Sequence, residues 1–159
     1  MLNGVPVAII GQAFPYTPIA NPAYFTPDWT FGIQERELQE KVNEVKAAGA
    51  QVVVLLSHNG ADTDIKLASR LSGIDAILGG HTHDALPRAL EIANPGGVTL
   101  VTNAGSNGKF IGVLDFAVRG GRIREWSYEL LPVFAELLPP DPDMEALIAR
   151  IRAPFLTQL

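Results

Sequence analysis

Three histidines are the residues of this sequence best suited to chemistry, and all three follow strand-like apolar segments. His58 follows the mainly apolar segment 51–56, and His81 and His83 follow the mainly apolar segment 74–78. Ligand sites in open α/β sheets collect at the carboxyl ends of neighbouring strands, so the three imidazoles are expected to meet if these strands are adjacent. Neutral imidazole is the commonest side-chain metal ligand, and a bound divalent metal lowers the pKa of its water toward about 7. The pattern therefore favours a metal-dependent hydrolytic site.

The arrangement of the histidines carries more weight than their number. A His-x-His pair in a surface loop is common and means little by itself. The position of His58 at the end of a second strand, with no histidine elsewhere in the chain, makes a shared site the better interpretation. Gly60, Gly79 and Gly80 allow sharp turns beside the histidines, where a bulky residue would hold the ligands away.

Four aspartates near the histidines are candidate ligands, or acceptors for the second N–H of a metal-bound imidazole. They are Asp62, Asp64, Asp75 and Asp84. Helix capping explains Asp62 equally well, and Asp75 is expected only to open a strand. Asp84, directly after the His-x-His pair, is the preferred acceptor for an imidazole N–H.

Amide and cationic side chains in the same region are candidates for binding an anionic substrate. Asn103, Asn107 and Lys109 lie in a glycine-rich segment after another strand, and Asn59 lies beside the first histidine. Amides, backbone N–H groups and a cation are suited to negatively charged oxygens. An ordinary glycine-rich turn explains this segment equally well. No catalytic side chain beyond the metal ligands is identified from the sequence.

The composition is that of a globular protein and excludes two classes of partner. Hydrophobic residues make up 47% and charged residues 18% of the 159 residues, a balance that allows one packed core. The net charge of −5, without clusters of Lys and Arg, argues against nucleic-acid binding. No apolar run approaches the roughly 20 residues of a membrane span. Cysteine is absent, so disulfides and thiolate metal sites are excluded.

The apolar pattern predicts alternating strands and helices in the first half of the chain. Apolar runs without alternation are expected of strands covered on both faces. Apolar residues at helical spacing, followed by glycine, predict the main helix. The predicted elements, in chain order, are strand 5–10, helix 34–48, strand 51–56, a short helix to about residue 71 capped by Asp62 or Thr63, and strand 74–78.

The second half is predicted to be rich in strands and to end in a helix. Strand segments at 99–102, 110–118 and 122–131, the last two separated by Gly120 and Gly121, indicate a hairpin or meander. An Asp cap followed by Pro at 141–142 begins the last helix. The fold class is therefore α/β or layered α+β, with mixed sheets flanked by helices.

Residues 53–60 (VVLLSHNG) and 79–84 (GGHTHD) form two ordered motifs. They resemble the last two motifs of the calcineurin-like metallophosphoesterases, in the 5′-nucleotidase branch of that family. Within the branch, residues 11–22, 27–32 and 102–110 resemble the SoxB thiosulfohydrolases, so the likeness runs along essentially the whole chain. The resemblance implies the C-terminal half of a four-layer αββα sandwich.

The resemblance also implies a dinuclear metal centre and a sulfur substrate. His58 and His81 would bind one divalent ion and His83 the other, with manganese as the expected metal and zinc as the alternative. The reaction would release sulfate from a cysteine S-thiosulfonate on the SoxYZ carrier protein, in the periplasm, during thiosulfate oxidation. The aromatic-rich residues 14–31 would line the channel for the cysteine arm of the carrier.

The sequence departs from the family pattern in one respect. The family places Asp-x-His, Gly-Asp and Asn-His ligand motifs upstream, and these 159 residues contain none of them. Residues 1–138 are therefore expected to be the C-terminal part of a catalytic domain, and residues 139–159 a linker helix toward a substrate-recognition domain. Because three histidines cannot replace bridging carboxylates, the isolated chain is expected to bind metal weakly and to be inactive.

Three other interpretations remain open from the sequence. The complete protein can be a 5′-nucleotidase-like phosphomonoesterase that shares the histidines and differs in its substrate pocket. The chain can be a non-catalytic module that holds one metal ion through the three histidines. It can also be a structural half-domain whose exposed sheet edge requires another half, which predicts aggregation when it is expressed alone.

Overall fold

A computed structural model describes residues 1–156 of the chain. Within them the strands are, in chain order, β1 (Val7–Gln12), β2 (Val52–Ser57), β3 (Ala76–Gly79), β4 (Leu90–Asn94), β5 (Gly97–Asn103), β6 (Phe110–Arg119) and β7 (Arg122–Pro132). The helices are α1 (Thr17–Ala20), α2 (Glu35–Ala47), α3 (Ala61–Ala68) and α4 (Pro142–Arg152), with 3₁₀ turns at Ala23–Phe25, Ala135–Leu137 and Ala153–Phe155. None of the described helices is long and apolar enough to cross a membrane.

The larger sheet has five strands in the order β1-β2-β3-β5-β4. The first four run parallel to one another, and β4 pairs antiparallel with β5 at one side. The strand pair that matters most for the histidines, β2 and β3, is adjacent, with Leu55 beside Ile77. The carboxyl ends of the four parallel strands therefore meet at one edge, called here the C-terminal edge. The segments that form it are 13–14, 58–60, 80–84 and 104–109.

One face of this sheet is covered by α2 and α3, and the main core lies between them. The amphipathic α2 turns Leu38 and Val42 toward the sheet, and α3 contributes Leu67 and Ala68. From the strands, the fully buried Leu55 packs into the same cluster. Burial of such side chains contributes about 1.5–3 kcal/mol each. This packing makes the sheet a fixed base for the loops of the C-terminal edge.

The opposite face of the sheet is partly covered by the hairpin of β6 and β7. Gly120 and Gly121 both have positive φ, +60° and +73°. A two-residue hairpin turn requires positive φ at both positions if it is to match the twist of its strands. A cleft of about 490 Å³ separates the hairpin from the five-stranded sheet. Near the C-terminal edge, Leu56 and Leu78 on this face are 46% and 38% exposed. The described residues thus form helix, sheet and hairpin layers.

The predicted fold class is confirmed, because parallel and antiparallel pairing coexist and helices flank the sheet. The predicted hairpin at 110–131 and the predicted cap of the last helix are also present. In α4, the Asp141 side chain accepts a hydrogen bond of 2.9 Å from the Met144 N–H. The predicted segment 139–159 is described as far as residue 156, and its last three residues lie outside the described part.

Three local predictions differ from the structure. The predicted cap of α3 at Asp62 or Thr63 is wrong, since the helix begins at Ala61 after Gly60, which makes no side-chain cap. Strand β4 was not predicted, because its five residues are few and border a Pro and Gly interruption. Residues 14–31, for which no helix was predicted, contain one short α-helix and one 3₁₀ turn.

Candidate metal-binding site

His58 and His81 lie together at the C-terminal edge, where the sequence predicted them. The first follows β2 and the second follows β3, and their ring centroids are 5.2 Å apart in an edge-on arrangement. Two imidazole nitrogens at about 2.1 Å from one metal, near the tetrahedral angle, place the ring centres roughly 5 Å apart. The spacing therefore fits two positions of one coordination sphere.

His83 shares the loop of His81 but is not part of a larger ligand cluster. Within residues 1–156 no group of three or more His, Asp or Glu side chains lies close enough to hold a metal ion. The described residues thus supply a histidine pair and not a complete metal site. The assignment of His83 to a second metal stays a prediction.

Phe14 packs against the histidine pair, a contact that the sequence did not predict. Its ring stacks on His81 with a centroid distance of 4.1 Å and lies 5.7 Å from the ring of His58. The Thr17 hydroxyl donates to the carbonyl of Phe14 at 2.8 Å, which fixes this turn after β1. The only sequence signal was the aromatic composition of residues 14–31. Phe14 covers one face of His81 and limits its rotation.

The loop that carries His81 and His83 has an unusual backbone that hydrogen bonds hold in place. Both residues have positive φ, 70° and 60°, a conformation that costs about 1–3 kcal/mol for residues other than glycine. The hydroxyl of Thr82 between them donates to Asp84 at 2.5 Å and accepts from the Ala61 N–H at 3.2 Å. Asp84 therefore supports the loop through Thr82, and its predicted contact with an imidazole stays a prediction.

Replacing Gly60 with alanine is expected to destabilise the protein by about 1–3 kcal/mol. Gly60 has φ +100° and ψ 152°, a region open almost only to glycine, and an added Cβ would lie 3.0 Å from Cγ2 of Thr82. The substitution would strain the backbone and push the loop of His81 away from α3. The free energy of unfolding in urea measures the effect.

Gly49 provides the matched control for this substitution. Its φ is +102°, and an added Cβ would meet no atom within 4 Å. Gly49→Ala is therefore expected to cost less than Gly60→Ala, because only the backbone strain remains. Equal losses would show that the contact with Thr82 does not matter.

A buried hydrogen-bond network lies directly beneath His58. Asp64 in α3 is fully buried and accepts hydrogen bonds from the Ser57 hydroxyl at 2.5 Å and from the Asn59 amide at 3.2 Å. The same amide nitrogen donates to the side-chain oxygen of Gln12 at 3.0 Å. The side chain of Asn59 is therefore engaged inside the protein, while its proposed contact with substrate remains a prediction.

Burial raises the pKa of the Asp64 carboxyl above its ordinary value of 3.8, and the hydrogen bonds from Ser57 and Asn59 oppose this shift. A folded-state pKa above the unfolded value means that the stabilising contribution is complete below the unfolded pKa and is lost as the pH rises through the folded pKa. Asp64→Asn cannot ionise, so its stability relative to the parent is expected to increase from pH 4 to pH 7. Urea unfolding at both pH values measures this, and a constant difference would contradict it.

The segment with the predicted substrate-binding residues lies beside the loop of His81. The Gly105 N–H donates to the carbonyl of Asp84 at 2.7 Å, which joins the two loops. Asn103 is 2% exposed, and neither of its amide atoms has a hydrogen-bond partner within residues 1–156. Asn107 and Lys109 are exposed. The structure brings these residues to the C-terminal edge, and their role in binding substrate stays a prediction.

The remaining aspartates have other positions. Asp75 lies before β3, at the opposite end of the sheet, where it accepts from the Val53 N–H at 2.8 Å and from Lys46 at 3.3 Å. This position agrees with the predicted role of opening a strand. Asp62 is exposed in the first turn of α3.

Comparisons with known proteins agree with this fold. Sulfate thiohydrolase SoxB of Thermus thermophilus matches 100% of this chain and 29% of its own, with a TM-score of 0.90 and 38% identity. A 5′-nucleotidase precursor, also of Thermus thermophilus, matches 98% of this chain and 33% of its own, with a TM-score of 0.85 and 30% identity. The venom 5′-nucleotidase of Naja atra is 28% identical over 92% of this chain and 30% of its own length. No family model matches the chain.

These relatives are, by name, a thiohydrolase and two nucleotidases, which defines the class as hydrolases of the metallophosphoesterase type. The chain belongs to the calcineurin-like phosphoesterase family, in the 5′-nucleotidase branch, as the motifs at 53–60 and 79–84 predicted. It spans about a third or less of the length of each of these three relatives.

Proposed function

We propose that the chain supplies the histidine side of a dinuclear metal centre in a thiosulfohydrolase. The reaction is hydrolysis of a cysteine S-thiosulfonate on the SoxYZ carrier, with release of sulfate. The adjacency of His58 and His81 supports it, in a chain that matches a SoxB structure along its whole length. The remaining metal ligands of the proposed centre lie outside these 159 residues.

In this proposal the three histidines of the chain hold the metal ions. His58 and His81 have the spacing of two ligands of one ion, and His83 is proposed as a ligand of the second. When bound, two divalent ions, proposed as manganese, would neutralise charge on the substrate oxygens and activate water. Phe14 covers one face of the His81 ring and limits its rotation. The orientation of His81 is therefore partly fixed before a metal ion binds.

The residues near Asn103 are proposed to contact the anionic end of the substrate. Lys109 is exposed and offers a positive charge, and Asn107 offers an amide on the same segment. Asn59 and Asn103 lie deeper at the same edge, and Asn103 has unused donors and acceptors within the described residues. These groups suit a sulfonate, whose oxygens accept hydrogen bonds. The carrier and a periplasmic location belong to this proposal.

A 5′-nucleotidase-like phosphomonoesterase is the second candidate. The 5′-nucleotidase precursor of Thermus thermophilus also matches almost the whole chain, at 30% identity. A phosphate ester presents oxygens similar to those of a thiosulfonate, so the histidine pair suits both reactions. The two candidate reactions differ in the group to which the sulfonate or phosphate is attached. It is a carrier protein for the thiosulfohydrolase and a nucleoside for the nucleotidase.

The deciding experiment supplies both substrates to the protein expressed from its complete reading frame and loaded with Mn²⁺. Sulfate is measured with SoxYZ that carries the S-thiosulfonate, and phosphate is measured with AMP. The proposal expects sulfate release at a much higher kcat/KM than phosphate release. Phosphate without sulfate would support the nucleotidase instead. Stoichiometric metal without either product would support a non-catalytic binding module.

A further inference from the structure

Asp64 touches the residues on both sides of His58. Its Oδ1 accepts a hydrogen bond from the hydroxyl of Ser57, the residue before the histidine, and another from the side-chain amide of Asn59, the residue after it. The Asn59 backbone N–H in turn donates to the Ser57 hydroxyl at 3.1 Å. The backbone that carries the exposed imidazole is thus tied on both sides to one buried carboxylate.

The second oxygen of the same carboxylate faces the end of β3, which leads to His81. Asp64 Oδ2 is buried without a hydrogen-bond partner within residues 1–156. A Cβ added to Gly79 would lie 2.9 Å from this oxygen and 3.2 Å from the Thr102 carbonyl. The φ of Gly79 is not in the left-handed region. Glycine is therefore needed here because a side chain would not fit, and not because of its backbone conformation. The absence of a side chain lets β3 approach the carboxylate.

A buried carboxylate such as that of Asp64 is not needed to stabilise the fold, because a neutral side chain can do so at a lower cost in free energy. Removing a carboxylate from water is costly, and a neutral side chain that accepts the same hydrogen bonds or fills the same volume avoids that cost. Asp64 is 0% exposed, and within residues 1–156 its described partners are the neutral side chains of Ser57 and Asn59. Its position between the two histidine-bearing strand ends offers a functional reason for it.

We propose that Asp64 is a positioning residue that sets the place of His58 relative to His81 through Ser57, Asn59 and Gly79. The inference rests on the proposed function, in which both histidines bind one metal ion. Asp64 does not contact the metal or the substrate in this proposal. It fixes the backbone from which His58 projects, so its loss widens the distribution of distances between the two imidazoles.

The first test follows the imidazole signals by NMR in the metal-free protein expressed from its complete reading frame. The Cε1–H signals of His58 and His81 are assigned by their loss in His58→Gln and His81→Gln. Asp64→Ala is expected to shift and broaden the His58 signal, while Asp64→Asn, which keeps the acceptor oxygen, restores it. Leu67→Ala is the control, because Leu67 is 2% exposed on the same helix but faces the core.

Ser57→Ala provides a second route to the same result if Asp64→Ala does not fold. It removes one of the two hydrogen bonds on Oδ1 and leaves α3 unchanged, so the His58 signal is expected to shift again. A His58 signal that Ser57→Ala leaves in place would overturn the proposal. An equal change in Leu67→Ala would overturn it too, because the effect would then follow general destabilisation.

The second test measures Zn²⁺ affinity of the same variants by competition with a chelating dye. Asp64→Ala is expected to weaken binding by about 10- to 100-fold, the usual effect of losing a group that orients a ligand, and Asp64→Asn by less. If the NMR signals respond but the parent protein binds no Zn²⁺, the positioning role stands and the proposed metal function fails. If the parent binds Zn²⁺ and Asp64→Ala binds it equally well, the positioning role fails.

Discussion

His58→Ala is expected to lower kcat/KM for sulfate release by roughly a thousandfold, in the protein expressed from its complete reading frame. A metal ion contributes several kcal/mol to stabilising a transition state, and each 1.36 kcal/mol corresponds to a factor of ten in rate. Loss of the His58 imidazole leaves His81 as the remaining member of the pair. Steady-state kinetics with Mn²⁺-loaded protein, together with metal analysis, measures the effect.

The fold of the His58→Ala variant is expected to remain intact. His58 is exposed, and exposed substitutions usually change the free energy of unfolding by no more than about 0.5 kcal/mol. All three histidines of the chain lie at the C-terminal edge, so the matched control is another exposed residue, Lys66 in α3. Lys66→Ala should retain full activity. Nearly normal activity of His58→Ala, with metal bound, would remove the basis of the proposed function.

Leu55→Ala is expected to have the largest effect on stability, a loss of about 2–5 kcal/mol in the free energy of unfolding. Leu55 is fully buried in β2, three residues before His58, and packs in the core against α2 and α3. Truncation leaves a cavity that the surrounding strands and helices fill only in part. Urea unfolding followed by circular dichroism measures the loss.

The next residue in the strand is the control for Leu55→Ala. Leu56 points to the opposite face and is 46% exposed, so Leu56→Ala should cost less than about 1 kcal/mol. The pair tests the assignment of faces in β2, because a shift of one residue would exchange their burial. Similar losses in the two variants would contradict the described packing.

The sequence predicted that the histidines follow two buried strands, and that they meet on the condition that these strands are adjacent. Both segments before the histidines are short apolar runs, and buried parallel strands connected by a helix lie side by side with their carboxyl ends together. The structure shows that β2 and β3 are neighbours and that the ring centroids of His58 and His81 are 5.2 Å apart. The apolar pattern identifies the two strands in the sequence, and the structure supplies their spatial order.

Contacts that depend on loop conformation could not be predicted in the same way. Phe14 stacks on His81 from the turn after β1, where the Thr17 hydroxyl donates to the Phe14 carbonyl. A periodic pattern in the sequence does not predict the conformation of such a turn. The hydrogen bonds that Asp64 accepts from Ser57 and Asn59 depend on where α3 crosses the sheet. The start of α3 at Ala61 was not predicted for a similar reason, since the acidic residues of its first turn resemble caps.

The most direct test of the central claim, that His58 and His81 share one metal ion, is an anomalous difference map. Crystals of the protein expressed from its complete reading frame, grown with Mn²⁺, provide the data at the manganese edge. The expected result is a peak at about 2.0–2.2 Å from a ring nitrogen of both His58 and His81. Manganese peaks that contact neither histidine, or only one of the two, would contradict the claim.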